Sequence, residues 1–248
     1  MNDQTNSFKE GLSDRLRGYL RLVHLSTQLV AGRRFWIPIL LPLLWPAFQA
    51  FILLVGWRKT GFEAVHAQSI FMGVPLAVLA IGLGIRIVAG EMDSRTLEIA
   101  YTVPGGCHRI WLAKMTGCFF ILLFSHILLA MVTLAFFTSF PFVSFYGALQ
   151  AAVFYLIAGM AFAAFFRSEI SGAMASVTLL ALNGLSSGFG DNQMRVSPFF
   201  NPLAIKNGDE TELFAWTLQN RILFLLLIAA MVLLTFGRVE RREKMLGD

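Results

Sequence analysis

Charge is scarce in this chain. Asp, Glu, Lys and Arg make up 14% of its 248 residues, while apolar residues make up 56%. A soluble domain is about 45–50% apolar, and the mean hydropathy here is +0.67. That balance excludes an ordinary soluble domain. It predicts an integral membrane protein crossing as helices, because a helix satisfies its own backbone hydrogen bonds in lipid. Cysteine is nearly absent. Cys107 and Cys118 form no CxxC and no zinc spacing, and they read as reduced thiols without a disulfide. Acid is missing from the apolar runs altogether. Carriers driven by protons or sodium keep carboxylates in mid-membrane, at about 2.5–3.5 kcal/mol each. Such a carrier is therefore disfavoured, and energy for any transport would come from a partner. His126 is the one ionisable residue expected well inside a span, and it reads as a neutral histidine bonded to a neighbouring helix.

Enzyme signatures are also missing. There is no HExxH, no carboxylate pair in a span, no metal-ligand cluster and no GxxxxGK[ST] phosphate loop. Gly184-Leu185-Ser186-Ser187-Gly188 spells the GxSxG of a serine nucleophile. A serine needs a base beside it, and no histidine follows residue 126. The spelling therefore reads as small residues at a span end. No catalytic residue, no metal site and no cofactor on this chain are expected.

What is present is a succession of long apolar runs. Residues 1–34 hold six Lys/Arg and lack the early apolar core and cleavage site of a signal peptide. Within them, 8–34 alternates Phe8, Leu12, Leu16, Leu20, Val23 and Leu25 with Lys9, Arg15, Arg17 and Arg21. That pattern suits a basic amphipathic helix in the headgroup layer, and its greasy stripe argues against nucleic acid as the partner. Six spans follow, at roughly 35–57, 69–89, 110–137, 146–166, 170–189 and 216–237. Pro38, Pro42 and Pro46 lie on nearly one face of the first and predict a kinked helix facing protein. Gly73, Pro75, Gly82 and Gly84 predict close packing of the second. Arg167-Ser168-Glu169 is a very short turn, 190–215 is a longer outer loop, and 238–248 is a basic tail.

Six spans put both termini on one side. The N-terminal segment, the stretch 86–114, Arg167 and the tail hold fifteen of the twenty Lys/Arg. By the positive-inside rule that side is cytoplasmic. The expected domains are a cytoplasmic or interfacial segment 1–34, a transmembrane domain 35–237 and a cytoplasmic tail 238–248.

The longest polar interruption is 90–115, GEMDSRTLEIAYTVPGGCHRIWLAKM. It predicts a short helix over Glu91–Tyr101, a turn forced by Pro104-Gly105-Gly106, and a new helix from Arg109. Glu91, Thr96-Leu97-Glu98, Pro104, Arg109 and Lys114 stand in the register E-x-x-x-G-T-L-E, then Pro, then Arg and Lys. This resembles the segment between spans two and three in permease subunits of type-2 ABC transporters. Arg95 replaces the usual glycine. Ser197-Pro198-Phe199-Phe200-Asn201-Pro202-Leu203 is similar to the outer segment before that family's last span.

The resemblance implies an all-α, six-span permease with a cytoplasmic coupling helix between spans two and three, in a bacterial inner membrane. It implies a dimer with a second permease copy, identical or paralogous, and two copies of a separate ATPase subunit that bind ATP and Mg. The coupling region 90–109 would dock on that ATPase through Glu91, Asp93, Arg95, Thr96, Leu97, Glu98, Tyr101, Pro104 and Arg109, with Arg167 and Glu169 as a second contact. The implied activity is export of an amphipathic, lipid-like, peptide or drug-like substrate. The alternative is a related complex that uses ATP for mechanical or maturation work on a periplasmic protein.

Overall fold

The computed structural model describes residues 2–57, 60–93, 107–187, 194–205 and 209–239. All regular structure among them is helical. Helix α1 runs Asn2–Ala31. Helix α2, Trp36–Leu54, breaks at a 3-10 turn over Leu41–Leu43. Pro42 sits in that turn, where it has no N–H to give; of the three prolines expected on one protein-facing side, Pro42 and Pro46 are buried and Pro38 is only partly covered. Helix α3 consists of a first turn Ala64–His66, a π-helical turn Ala67–Gly73 and the α-helical Val74–Asp93. It runs on past the expected span end at Ala89, so Glu91 and Asp93 belong to α3, and the rest of the expected Glu91–Tyr101 helix lies outside the described residues. Then come α4 (Cys107–Phe136), α5 (Phe142–Phe166), α6 (Glu169–Ser187) and α7 (Glu210–Val239).

Among the described residues, five helices are long and apolar enough to cross a membrane: α2, α3, α4, α5 and α7. The expected fifth span, α6, is not among them. Its 19 residues include Ser171, Ser176, Thr178, Asn183 and Ser186, which dilute its apolar content.

Helices α3 and α5 form the centre. Their apolar windows are 67% and 61% buried, against 17% for α2 and 22% for α7. They meet through glycines. A Cβ on Gly84 would collide with the Leu156 carbonyl, and one on Gly159 would lie 3.3 Å from the Ile81 carbonyl. Without side chains at those two points the backbones approach closely, which is how helices associate where water supplies no drive. Around the crossing are Leu76, Ala77, Ala80, Ile87, Tyr155, Leu156 and Met160, all essentially inaccessible. Helix α6 folds back on α5 through Arg167 and Ser168, with Gly172 against Ala163. Helix α1 does more than lie in a headgroup layer. It packs on α4, with Tyr19 Oη 3.2 Å from Thr116 Oγ1 and Thr27 against Gly117.

Two polar ends bound this bundle. At one end α1, α3, α5 and α7 finish and α4 and α6 begin. This basic end carries Arg86, Lys114, Arg167 and Arg238. At the opposite end, residues 197–204 fold over the start of α3. Gln68 donates to the Phe199 and Phe200 carbonyls at 3.3 and 2.8 Å, Asn220 to those of Arg195 and Ser197 at 2.7 and 2.9 Å, and Asn201 to that of Val65 at 2.9 Å. Helix α6 reaches from one end to the other, since Glu169 neighbours Gly90 and Asn183 bonds Ser197 at 3.2 Å.

Candidate functional site

The basic end is where the sequence placed its candidate residues. Glu91 stands one helical turn after Ile87 on α3, and Trp111 and Lys114 stand three residues apart on α4. These spacings put each set on one helix face. The faces meet. Lys114 Nζ donates to Glu91 Oε1 at 2.6 Å and to the Ile87 carbonyl at 3.2 Å, and Trp111 Nε1 donates to Glu91 Oε2 at 2.9 Å. The side chains of Lys114 and Glu91 are only 4% and 12% exposed, so both charges are nearly dehydrated. A dehydrated pair holds only where further hydrogen bonds satisfy it, and here Trp111 and the Ile87 carbonyl supply them. Trp111 is fully buried and packs beside Phe236 of α7.

A second set surrounds the first. Arg86 Nη1 donates to the Val30 carbonyl at 2.8 Å, which satisfies an open carbonyl at the C-terminal end of α1. Its Nε lies 4.0 Å from Glu169 Oε1. With side chains 49% and 27% exposed, that contact is a weak tie rather than a clamp. Glu169 opens α6, where an acid favours the helix N-terminus. A Cβ on Gly90 would lie 3.0 Å from its carboxylate, so Gly90 leaves it room. Arg167 caps α5 at φ 55°, the only left-handed non-glycine among the described residues. That conformation costs a residue with a Cβ roughly 1–2 kcal/mol.

The structure thus brings the short turn of Arg167 and Glu169 against the foot of the 90–109 stretch. Glu91 turns inward to Trp111 and Lys114, while Arg109 is exposed in the first turn of α4. Arg95, Thr96, Leu97, Glu98, Tyr101 and Pro104 lie outside the described residues. The sequence reading did not foresee the roles of Arg86 and Trp111. Their signal was available as the one arginine near the end of span two and the one tryptophan a turn before Lys114.

Elsewhere two expectations change. His126 is fully buried and donates from Nε2 to the Phe145 carbonyl of α5 at 3.0 Å, as a helix-bonded histidine would. It is not the only ionisable group inside. Arg221, in the first turns of the expected sixth span, lies within α7 at 7% exposure, and its guanidinium reaches the Phe200 carbonyl and Asn220 Oδ1 at 3.3 Å each. Ser186 donates to the Asn183 carbonyl at 3.1 Å, and no hydrogen bond joins it to His126 among the described residues. No cluster of three His, Cys, Asp or Glu side chains able to hold a metal occurs among the described residues.

No protein-family model, no curated protein and no solved structure matches this chain.

Proposed function

We propose that this chain is the membrane permease subunit of an ATP-driven transporter resembling the type-2 ABC class. A separate ATPase would grip the 90–109 stretch, and two permease copies would form the path for an amphipathic substrate. One observation carries the reading. Glu91 and Lys114, the first and last residues of the motif register, are bonded to each other at 2.6 Å. The polar stretch between them is therefore anchored at its base by a bond between α3 and α4. A partner that pulls on that stretch moves two membrane helices instead of stretching a slack connector. Glu169 and the Arg167 turn beside the same base give α6 and α5 a share of that motion.

In this reading α6 also crosses the membrane, as the fifth of six spans in chain order. Its length suits it, because 19 residues rise about 28 Å, close to the hydrocarbon thickness. It also reaches both polar ends of the bundle. Both termini then lie on the basic, cytoplasmic side. ATP binding by the partner does work only if that partner holds two permease conformations with different affinity.

The test is a mild-detergent pull-down of the tagged chain from its native membrane, with partners identified by mass spectrometry. A stoichiometric ATPase bearing a Walker A loop is the expected result. A chain recovered alone would sink the reading. A periplasmic protein recovered with the ATPase would favour mechanical work over export.

A further inference from the structure

Residues 15–62 contain no Asp or Glu. Within that acid-free stretch the exposed face of α1 and the corner after it carry an unusual mixture. One face of α1 is spent on α4, where Val23, Ser26 and Val30 are buried. The other face leaves Leu20, Leu25 and Leu29 at 54%, 59% and 69% exposure. Arg17, Arg21, Arg33 and Arg34 are exposed among them, and none forms an ion pair among the described residues.

Position sharpens the point. Gly32 takes φ +83° and ends α1, as a residue without Cβ does at a helix C-terminus. Arg33 and Arg34 follow, and the apolar α2 starts at Trp36. Two residues before a membrane span is headgroup depth. There, a groove of about 630 Å³ is lined by Leu25, Gln28, Leu29 and Arg33. Gln28 is hydrogen-bonded to His24 at 3.1 Å. Arg86, bonded to the Val30 carbonyl, ties the end of α1 to α3 and holds this face in place.

We propose that this groove binds an anionic phospholipid of the adjoining leaflet. Leu25 and Leu29 would lie along an acyl chain, while Arg33, the Gln28 amide and neighbouring Arg34 meet the phosphate. The leucines would be wasted on a soluble anion, and the arginines on a neutral lipid. Basic side chains at a membrane surface attract acidic headgroups strongly enough to select them. The site depends on the membrane placement of α2, not on any ATPase partner.

The experiment uses the whole purified chain in mild detergent, offered equal phosphatidylglycerol and phosphatidylcholine and read by native mass spectrometry. Phosphatidylglycerol is expected to be retained about tenfold in preference. Arg33→Gln with Arg34→Gln removes the preference, and Arg33→Lys with Arg34→Lys keeps most of it. Leu25→Ser with Leu29→Ser lowers retention of the lipid. Gel filtration and thermal midpoints check that each variant is folded. Equal retention of both lipids by the unsubstituted chain overturns the proposal, as does an undiminished preference in the glutamine pair. Displacement of phosphatidylglycerol by inorganic phosphate would mark a soluble-anion site and overturn the lipid assignment.

Discussion

Lys114 Nζ stands 2.6 Å from Glu91 Oε1, and this nearly buried pair joins the last turn of α3 to the first turns of α4. Removing one partner strands the other charge where water cannot reach it. Lys114→Met or Glu91→Gln alone should therefore destabilise the chain by about 3 kcal/mol. The double variant should recover most of that loss, since a dehydrated pair contributes little net over apolar packing. Thermal unfolding of the four proteins in one detergent gives the coupling. Losses that simply add would show that the pair is not a clamp.

That pair also marks how far the sequence could be read. Apolar runs and turn residues announced every long helix, because a span must be continuous and apolar over about 20 residues. The break in α2 followed from Pro42, and the turn before α6 followed from Arg167-Ser168-Glu169. The motif register singled out Glu91 and Lys114 but not their bond, which exists only once two helices pack. Three features were hidden for the same reason. The π turn at Ala67–Gly73 accompanies Gln68 reaching the Phe199 and Phe200 carbonyls, a contact across more than 130 residues. The docking of α1 on α4 rests on Gly117 accepting Thr27. The burial of Arg221 rests on a loop that folds back over the bundle end. Helix α6, the expected fifth span, runs between the two polar ends, while its serines and asparagine dilute its apolar content below that of the five candidate spans among the described residues.

Gln68 and Arg221 both reach the Phe200 carbonyl, at 2.8 and 3.3 Å, but they should respond differently to removal. Gln68 satisfies two buried carbonyls. Gln68→Leu takes the shorter of two donors from the Phe200 carbonyl and orphans the Phe199 carbonyl, which should cost about 2 kcal/mol. Arg221 brings a buried charge, two long hydrogen bonds and an Nε without a partner among the described residues. Dehydrating a charge costs several kcal/mol, so Arg221→Met should be near neutral or stabilising. Denaturation midpoints in detergent decide the order. A larger loss for Arg221→Met than for Gln68→Leu would mean that an acidic or ligand partner holds the guanidinium.

Glu98 tests the proposed partner. If the 90–109 stretch is gripped by an ATPase, Glu98→Arg reverses a charge at that surface. Recovery of the ATPase in a pull-down should then fall about tenfold or more, with hydrolysis no longer stimulated by substrate. Membrane insertion of the chain should stay unchanged. Recovery and hydrolysis at the original level would remove Glu98 from the contact.

Gly82 and Gly84 lie two residues apart on α3 and provide a control within one helix. A Cβ on Gly84 meets the backbone carbonyl of Leu156, which has no rotamer in which to yield. Helices α3 and α5 would have to separate, and their contact is the centre of the bundle. Gly84→Ala should therefore cost about 2–3 kcal/mol, the usual scale of overpacking. A Cβ on Gly82 meets nothing within 4 Å. There, alanine only restrains the unfolded chain and favours the helix, so Gly82→Ala should stabilise by about 0.5–1 kcal/mol. Gly82 also sits between Val78 and Arg86 on the open stripe of α3, beside the apolar groove that Val78, Leu79, Pro42 and Trp45 line. If substrate or a second copy occupies that stripe, Gly82→Trp should block transport while the protein stays as stable as Gly82→Ala. Thermal midpoints separate the first pair, and vesicle transport assays separate the second. Equal destabilisation by Gly82→Ala and Gly84→Ala would mean that the α3–α5 crossing is not where these glycines place it.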